Sequence, residues 1–233
     1  IREGVRAGNA APIAAKLNEM KMLYPPEFKD ALFLTNHDQI RLATQLDNNQ
    51  ARLKNAAAIL LTLPGTPFMY YGEEIGMQNG PGSNDEWKRT PFPWDESANA
   101  GFTTKQSWHP FAPGKETQNV AILTRQRNSL LSHYRDLIRL RKQSAALHKG
   151  EMQLLSDPGS SSATLAFLRI NGKERVFVAH NLSPSFVVAG PYTIQATAME
   201  QLFASDGPGN PVIAAGQWQV PLPPHASGVW RVR

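Results

Sequence analysis

The stretch Leu-Phe-Leu-Thr-Asn-His-Asp-Gln at residues 32–39 constrains the fold more than any other part of this 233-residue chain. A short apolar run ends abruptly at an amide, an imidazole and a carboxylate. This pattern indicates a strand that presents polar groups at its C-terminal end. In folds built on parallel strands, catalytic groups lie at that end, because the strand bodies form the packed core.

Two further motifs follow in order. Residues 65–77 read Gly-Thr-Pro-Phe-Met-Tyr-Tyr-Gly-Glu-Glu-Ile-Gly-Met, in which 67–71 predict a second strand. Residues 88–95 read Lys-Arg-Thr-Pro-Phe-Pro-Trp-Asp. Between the two predicted strands, Leu53, Ala56, Ala57, Leu60 and Leu61 recur on one face of a helix, which completes a strand–helix–strand unit.

Together the three motifs resemble, in order and spacing, the seventh and eighth strands of the α-amylase family of glycoside hydrolases. Residues 88–95 are similar to the Arg-Thr-Pro-Met-Gln-Trp-Asp segment of family members that act on short α-glucans. The nearest types are bacterial α-amylases, oligo-1,6-glucosidases and trehalose synthases. The resemblance implies an α/β plus all-β fold, in which the C-terminal part of a (β/α)8 TIM barrel is followed by an antiparallel β-sandwich.

The domain boundaries are predicted from a change in the pattern of apolar and turn-forming residues along the chain. Residues 1–145 are predicted to be the last two barrel strands with their helices. Asn9 is expected to cap a helix that ends at Pro25 and Pro26, and Asn128 to cap the last barrel helix. Residues 72–118 form a long loop rich in Gly, Pro, Asn and Asp, and such a loop is usually functional.

Residues 146–233 are predicted to be the sandwich, because short alternating runs separated by turn residues are typical of antiparallel sheets. These runs are Thr164–Ile170, Arg175–Asn181, Tyr192–Ala198 and Gly216–Pro221. A complete barrel takes roughly 250 residues, and the barrel motifs here end near residue 145. We therefore expect a missing N-terminal part of the same enzyme, which would be a partner of this chain.

Retaining cleavage of a glycoside needs a nucleophile and an acid/base, two carboxyl groups about 5 Å apart. The resemblance implies that both lie on the fourth and fifth strands, which this chain does not contain. It assigns Asp38 as the third carboxylate, which stabilises the cationic transition state. It assigns His37 as a donor to a hydroxyl of the same sugar, and Arg89 as the residue that holds the non-reducing end of the substrate.

Several residues allow more than one interpretation. The Asn-His-Asp segment on its own is also compatible with a structural turn, and Arg89 with a solvated loop. Glu73 and Glu74 follow a strand, yet adjacent side chains point in different directions, and in the family this pair builds the loop. Aromatic side chains in the loop either stack on sugars or pack the loop: Trp87, Trp94 and Trp108. We expect no metal site and no cofactor.

Composition excludes several classes of protein. The net charge of +5 comes from scattered Lys and Arg residues, which argues against a nucleic-acid partner. No apolar stretch reaches about eighteen residues, so this segment is not expected to span or bind a membrane. The absence of cysteine fits either redox compartment, cytoplasmic or periplasmic and secreted.

The predicted function is hydrolysis of α-glucosidic bonds in malto-oligosaccharides by the parent enzyme. This chain alone is expected to be inactive. One alternative is a transglycosylase or isomerase such as a trehalose synthase. Another is a catalytically inactive amylase-like binding subunit, although such a subunit would need neither Asp38 nor Arg89.

Overall fold

The computed structural model describes residues 1–25, 27–156 and 162–233, so Pro26 of the predicted helix stop lies outside it. The chain is a mixture of helices and strands. Its helices are α1 (Arg2–Ala7), α2 (Ala11–Leu23), α3 (Leu42–Gln45), α4 (Gln50–Thr62), α5 (Val120–Arg125), α6 (Leu130–Gln143) and α7 (Ala145–Lys149). The strands are β1 (Ala31–Phe33), β2 (Thr66–Phe68), β3 (Glu151–Leu154), β4 (Thr164–Asn171), β5 (Glu174–Asn181), β6 (Val187–Tyr192), β7 (Met199–Ser205), β8 (Val212–Ala214), β9 (Gln217–Leu222) and β10 (Ser227–Val232).

The strand–helix–strand unit predicted around the first two motifs is present. β1 and β2 pair in parallel, with Phe33 opposite Phe68, and α4 connects them. β2 is shorter than predicted, because the chain leaves the strand after Phe68 and turns at Gly72, whose φ is 89°. Both strands therefore end beside each other and deliver the segments that follow them to one edge.

The predicted helix caps need correction. The cap of α6 is Ser129 and not Asn128, because the Ser129 hydroxyl oxygen accepts the Ser132 N–H at 3.1 Å. Asn9 lies one residue before the cap position of α2, and its side chain accepts the Ala11 N–H at 2.9 Å. At α6, the neighbouring residues Asn128 and Ser129 are both able to cap. At α2, Asn9 acts from one position outside the helix, because Ala10 at the cap position has no side-chain acceptor.

The C-terminal part of the described chain forms two antiparallel sheets. Five strands pair in the order β3-β4-β5-β10-β7, and three in the order β6-β9-β8. The predicted runs match β4, β5 and β9, whereas the run Tyr192–Ala198 is wrong as a strand, since β6 ends at Tyr192. Tyr192 and Ile194 are both buried and lie two residues apart, as they would in a strand. The alternation of apolar residues therefore predicted a strand for a segment that lies beyond the end of β6.

The five-stranded sheet is buried on both faces. One face, with Phe167 and Val178, shares a hydrophobic core with α4, α6 and α7. The other face, with Phe177 and Trp230, packs against residues of β6 and β9 such as Trp218. The five-stranded sheet therefore separates two hydrophobic cores, one shared with the helices and one shared with the three-stranded sheet.

A buried polar seam, formed by Asn55, Thr62, His180 and Ser227, joins α4 to this sheet. Asn55 Nδ2 donates to the Asn181 carbonyl at 3.2 Å and to Ser227 Oγ at 3.2 Å. The His180 ring bonds Ser227 Oγ at 2.9 Å and Thr62 Oγ1 at 3.1 Å. Burial lowers the pKa of His180 to about 3, so the imidazole in this seam is neutral at ordinary pH.

Two buried arginines bind the C-terminal end of α4. Arg141 Nη1 donates to the Leu61 and Leu63 carbonyls at 2.8 Å each. Arg169 Nη1 donates to the Thr62 carbonyl at 2.6 Å. These carbonyls lack partners within the helix and carry the negative end of its dipole, so two guanidinium groups from α6 and β4 satisfy them.

Among the residues that the structure describes, no helix is both long and apolar enough to cross a lipid bilayer.

Candidate functional site

The end of β1 turns sharply and exposes two of the predicted site residues. Asn36 Oδ1 accepts the Asp38 N–H at 3.0 Å, which closes a turn directly after the buried Thr35. The side chains of His37 and Asp38 are exposed to 62% and 64%, with His37 Nε2 lying 3.4 Å from Asp38 Oδ1. The strand end therefore presents an imidazole and a carboxylate outward.

Arg89 joins these two residues from the long loop. Its Nη2 donates to Asp38 Oδ1 at 2.9 Å, and its Nε donates to the His37 carbonyl at 3.2 Å. The same Nη2 also reaches Asp85 Oδ2 at 2.9 Å. The three predicted site residues thus lie together, and the guanidinium of Arg89 is shared between two carboxylates.

Lys88 and Asp85 complete the charged cluster, and neither was predicted from the sequence as a site residue. Lys88 Nζ donates to the Asp38 carbonyl at 3.2 Å and to Asp85 Oδ1 at 3.0 Å. Its hydrogen bond and charge, with the charge of Arg89, lower the pKa of Asp85. The spacing of these residues could have indicated the contact, because side chains three and four positions apart lie on the same side of a helical turn. Here the turn is Asp85–Lys88, with Arg89 as its cap.

Next to Arg89 lies an open cavity of about 360 Å³ with mainly aromatic walls. Its lining residues are Tyr71, Glu74, Arg89, Thr90, Pro91, Phe92, Trp94, Phe102 and Trp108. Trp94 and Trp108 remain 53% and 59% exposed, which leaves ring surface free for a ligand. Trp87 differs, because its indole packs over Gly80 and Gly82, where any added Cβ would collide with it.

A buried arginine ties the loop to both strands. The Arg41 guanidinium carbon lies 4.6 Å from the ring centres of Tyr70 and of Tyr71. The two tyrosine hydroxyls donate to the carbonyls of Lys88 and Thr90, at 3.2 Å and 2.8 Å. The position of the Arg-Thr-Pro segment is therefore fixed by rings that the end of the second strand supplies.

The adjacent glutamates Glu73 and Glu74 have different surroundings. Glu73 is buried, and its Oε1 accepts both the N–H and the hydroxyl of Thr35, the N–H at 3.1 Å. Burial raises the pKa of Glu73 to about 7. Glu74 lines the cavity and accepts the Gly72 N–H at 2.8 Å, and burial raises its pKa as well.

Within residues 1–25, 27–156 and 162–233, no group of three or more His, Asp or Glu residues is arranged to hold a metal ion. The charged cluster offers two exposed carboxylates, Asp38 and Asp85, that share the Arg89 guanidinium. The neighbouring cavity offers flat apolar surfaces.

Comparison with known proteins identifies the family. The alpha-amylase catalytic domain model matches residues 10–150. Alpha-amylase 3 of Dictyoglomus thermophilum is 35% identical over 159 residues, which cover 67% of this chain and 31% of that protein. Probable oligo-1,6-glucosidase 2 of Bacillus subtilis is 31% identical over 195 residues, covering 66% of this chain and 34% of that protein.

Solved structures agree with the sequence matches. The crystal structure of an alpha-amylase from H. orenii superposes with a TM-score of 0.85 at 31% identity, covering 100% of this chain and 46% of that one. A trehalulose synthase structure gives a TM-score of 0.78 at 25% identity, covering 97% of this chain and 47% of that one. The chain spans between about a quarter and a third of the length of the curated relatives, 31%, 23% and 34% for three of them. This chain belongs to the α-amylase family.

Proposed function

We propose that this chain is the C-terminal portion of an enzyme that cleaves α-glucosidic bonds of malto-oligosaccharides by a retaining mechanism. Residues 1–145 would be the end of a (β/α)8 catalytic barrel, and residues 146–233 a β-sandwich. The single observation that carries the proposal is the Arg89 to Asp38 contact of 2.9 Å at the end of β1. It supports a carboxylate held by a guanidinium at the edge where barrel enzymes bind their substrates.

In this proposal Asp38 stabilises the transition state by its charge. Glycoside cleavage passes through an oxocarbenium-like state, and a fixed anion favours that cation more than it favours the neutral substrate. Arg89 and Lys88 hold the Asp38 side chain and backbone in place, which is the preorganisation that such stabilisation requires.

His37 and Arg89 would bind the substrate directly. His37 is exposed beside Asp38, where an imidazole N–H can donate to a sugar hydroxyl. Arg89 lines the aromatic cavity as well as contacting Asp38. Its guanidinium can therefore donate to a terminal sugar while it also supports the Asp38 carboxylate.

The aromatic cavity is the proposed place for the neighbouring sugar. Sugar rings have apolar faces that stack on aromatic rings, and Trp94 and Trp108 offer such surfaces. Glu74 contributes the acceptor at the cavity wall. A volume of about 360 Å³ lies at the lower end of the range of ligand-binding clefts.

The nucleophile and the acid/base would come from the N-terminal part of the same enzyme. Parallel sheets are normally covered on both faces, yet Phe33 and Phe68 lie side by side on β1 and β2 and are 47% and 56% exposed. An apolar pair at this position supports the packing of further barrel strands against it.

The test compares the 233-residue chain with a longer enzyme that contains it. Release of reducing sugar from maltosides is expected from the longer enzyme and not from the chain alone, since the chain holds only one of three required carboxylates. Turnover by the isolated chain that depends on Asp38 would contradict the division of roles.

A second candidate function is transfer instead of hydrolysis. The observation that favours it is the similarity to a trehalulose synthase structure. Chromatography of the products separates the two, because a hydrolase yields free glucose whereas an isomerase yields a new disaccharide. A longer enzyme that binds maltosides and yields neither product would be an inactive amylase-like binding subunit.

A further inference from the structure

We propose that Glu73 is a positioning residue that holds the end of β1 so that Asp38 is correctly placed. This inference rests on the proposed function of Asp38. The contact is specific: one carboxylate oxygen from the turn after β2 receives both the N–H and the hydroxyl of Thr35, three residues before Asp38 in the sequence.

The contact occupies a place where backbone pairing has stopped. β1 and β2 pair only up to Phe33 and Phe68. Beyond that point, the Thr35 N–H donates to the Glu73 side chain at 3.1 Å. Thr35 and Glu73 are 2% and 4% exposed, so water cannot readily replace the bond, and a lost partner would leave a buried polar group unsatisfied.

Glu73 is itself held rigidly. It begins the short helical turn Glu73–Ile75, which follows Gly72 at φ 89°. A Cβ at Gly72 would collide with the Met77 side chain at a φ that L residues rarely adopt, so the tight turn requires glycine. Ile75 is buried in a cluster with Leu131 of α6, which anchors the turn to the helix layer.

The position of Thr35 is transmitted to Asp38 through one turn. Asn36 follows Thr35 directly, and its Oδ1 accepts the Asp38 N–H at 3.0 Å. The Asn36 carbonyl accepts the Gln39 N–H at 3.2 Å. A shift of Thr35 therefore moves the whole turn, and with it the carboxylate that contacts Arg89 at 2.9 Å.

The charge surrounding Glu73 fits this role. Burial, assisted by Glu74, raises the pKa of Glu73, whereas the hydrogen bonds from Thr35 and the charge of Arg41 favour its ionised form. Tyr134 also lies close enough for Glu73 to affect it. Both hydrogen bonds from Thr35 favour the ionised form of Glu73. Thr35 therefore stabilises the same carboxylate that holds the end of β1.

The test uses steady-state kinetics of the longer enzyme on a p-nitrophenyl maltoside. Thr35→Val keeps the β-branched shape and removes the hydroxyl, and we expect it to lower kcat between about tenfold and 100-fold with little change in KM. Thr35→Ser, which keeps the hydroxyl, should restore turnover. Glu73→Gln keeps an acceptor oxygen and should fall between the two.

Thr62→Val is the matched control. Thr62 is also buried, and its hydroxyl bonds the Ala58 carbonyl at 2.7 Å in α4, away from the strand end. We expect this variant to lower Tm while kcat stays unchanged. If Thr35→Val instead behaved like Thr62→Val, with lower Tm and normal kcat, Glu73 would be merely structural and the inference would be overturned.

A separate measurement distinguishes failure of the inference from failure of the proposed function. Full turnover by Asp38→Asn would overturn the proposed function of Asp38, while the effect of Thr35 on the geometry of the strand end is measured separately. Amide hydrogen exchange in the 233-residue chain does not depend on the reaction. There, Thr35→Val should accelerate exchange of the Asp38 amide relative to Thr35→Ser, and equal exchange in both variants would overturn the positioning role.

Discussion

The charged cluster at the end of β1 and the buried seam beneath α4 both consist of polar side chains, yet they are built in opposite ways. In the cluster, Asp38 and Arg89 are charged and accessible, with side chains 64% and 38% exposed. In the seam, Asn55 and His180 are fully buried, and the imidazole is held neutral.

The difference indicates how each group of residues contributes. Exposed ion pairs add little to stability, generally under about 1 kcal/mol, so the cluster is better explained by its chemistry. Buried hydrogen bonds are costly to break because their partners are left without water. We therefore expect substitutions in the cluster to change activity, and substitutions in the seam to change stability.

The largest expected effect is on turnover. Asp38→Asn in the longer enzyme keeps the size of the side chain but removes the anion, so kcat should fall by about 10²–10³-fold or more. Thermal melting should shift little, because the lost ion pair is exposed. Normal turnover with a normal melting curve would show that the Asn-His-Asp segment is only a structural turn.

The seam should respond in the opposite way. Asn55→Ala removes the donor shared by the Asn181 and His225 carbonyls and Ser227 Oγ, and should lower the free energy of unfolding by about 3 kcal/mol. Urea unfolding of the 233-residue chain measures this. Asn18→Ala, on the exposed face of α2, is the control and should be nearly neutral.

Acid should affect the seam through its histidine. Burial lowers the pKa of His180 to about 3, whereas an unfolded chain takes up that proton near 6.5. This contribution to stability is present above pH 6.5 and is lost as pH falls, by up to about 1.4 kcal/mol per pH unit. Glu73 acts in the opposite direction, because its pKa is raised to about 7.

Comparing His180→Gln with the unmodified chain therefore isolates the contribution of His180 to the pH dependence of stability. His180→Gln is expected to be less stable at neutral pH and to lose less stability than the unmodified chain between pH 6.5 and 4.5. Urea unfolding at several pH values measures both slopes. Equal slopes would mean that His180 titrates alike in the folded and unfolded chains.

The smallest expected effect concerns substrate length. Arg89→Ala removes a guanidinium that reaches both Asp38 and the cavity, and KM for short maltosides should rise about tenfold, with a smaller rise for long ones. The comparison uses maltose and maltoheptaose with the longer enzyme. An equal increase for both would argue that Arg89 acts only through Asp38.

The sequence allowed prediction wherever the signal was local. The apolar run before Asn36 predicted β1, and the helical spacing from Leu53 to Leu61 predicted α4. The family resemblance assigned both Asp38 and Arg89 to the site, and the structure places their side chains 2.9 Å apart, while their roles stay predictions.

Contacts between distant parts of the chain had no such signal. Asn55 looked like an ordinary helix residue, although it bonds residues 126 and 172 positions away. Glu73 and Glu74 are adjacent in the sequence, and only the structure shows that one faces Thr35 and the other the cavity. A periodicity predicts which face is buried but not what lies against it.

The two guanidinium groups at the end of α4 have a consequence for synthesis of the protein. The start of β2 is fixed by Arg141, which reaches the Gly65 carbonyl, and the end of α4 by Arg169. A nascent chain emerges from the ribosome N-terminal end first. We therefore expect the junction between α4 and β2, which these two arginines hold, to acquire its native geometry only after β4 has been translated.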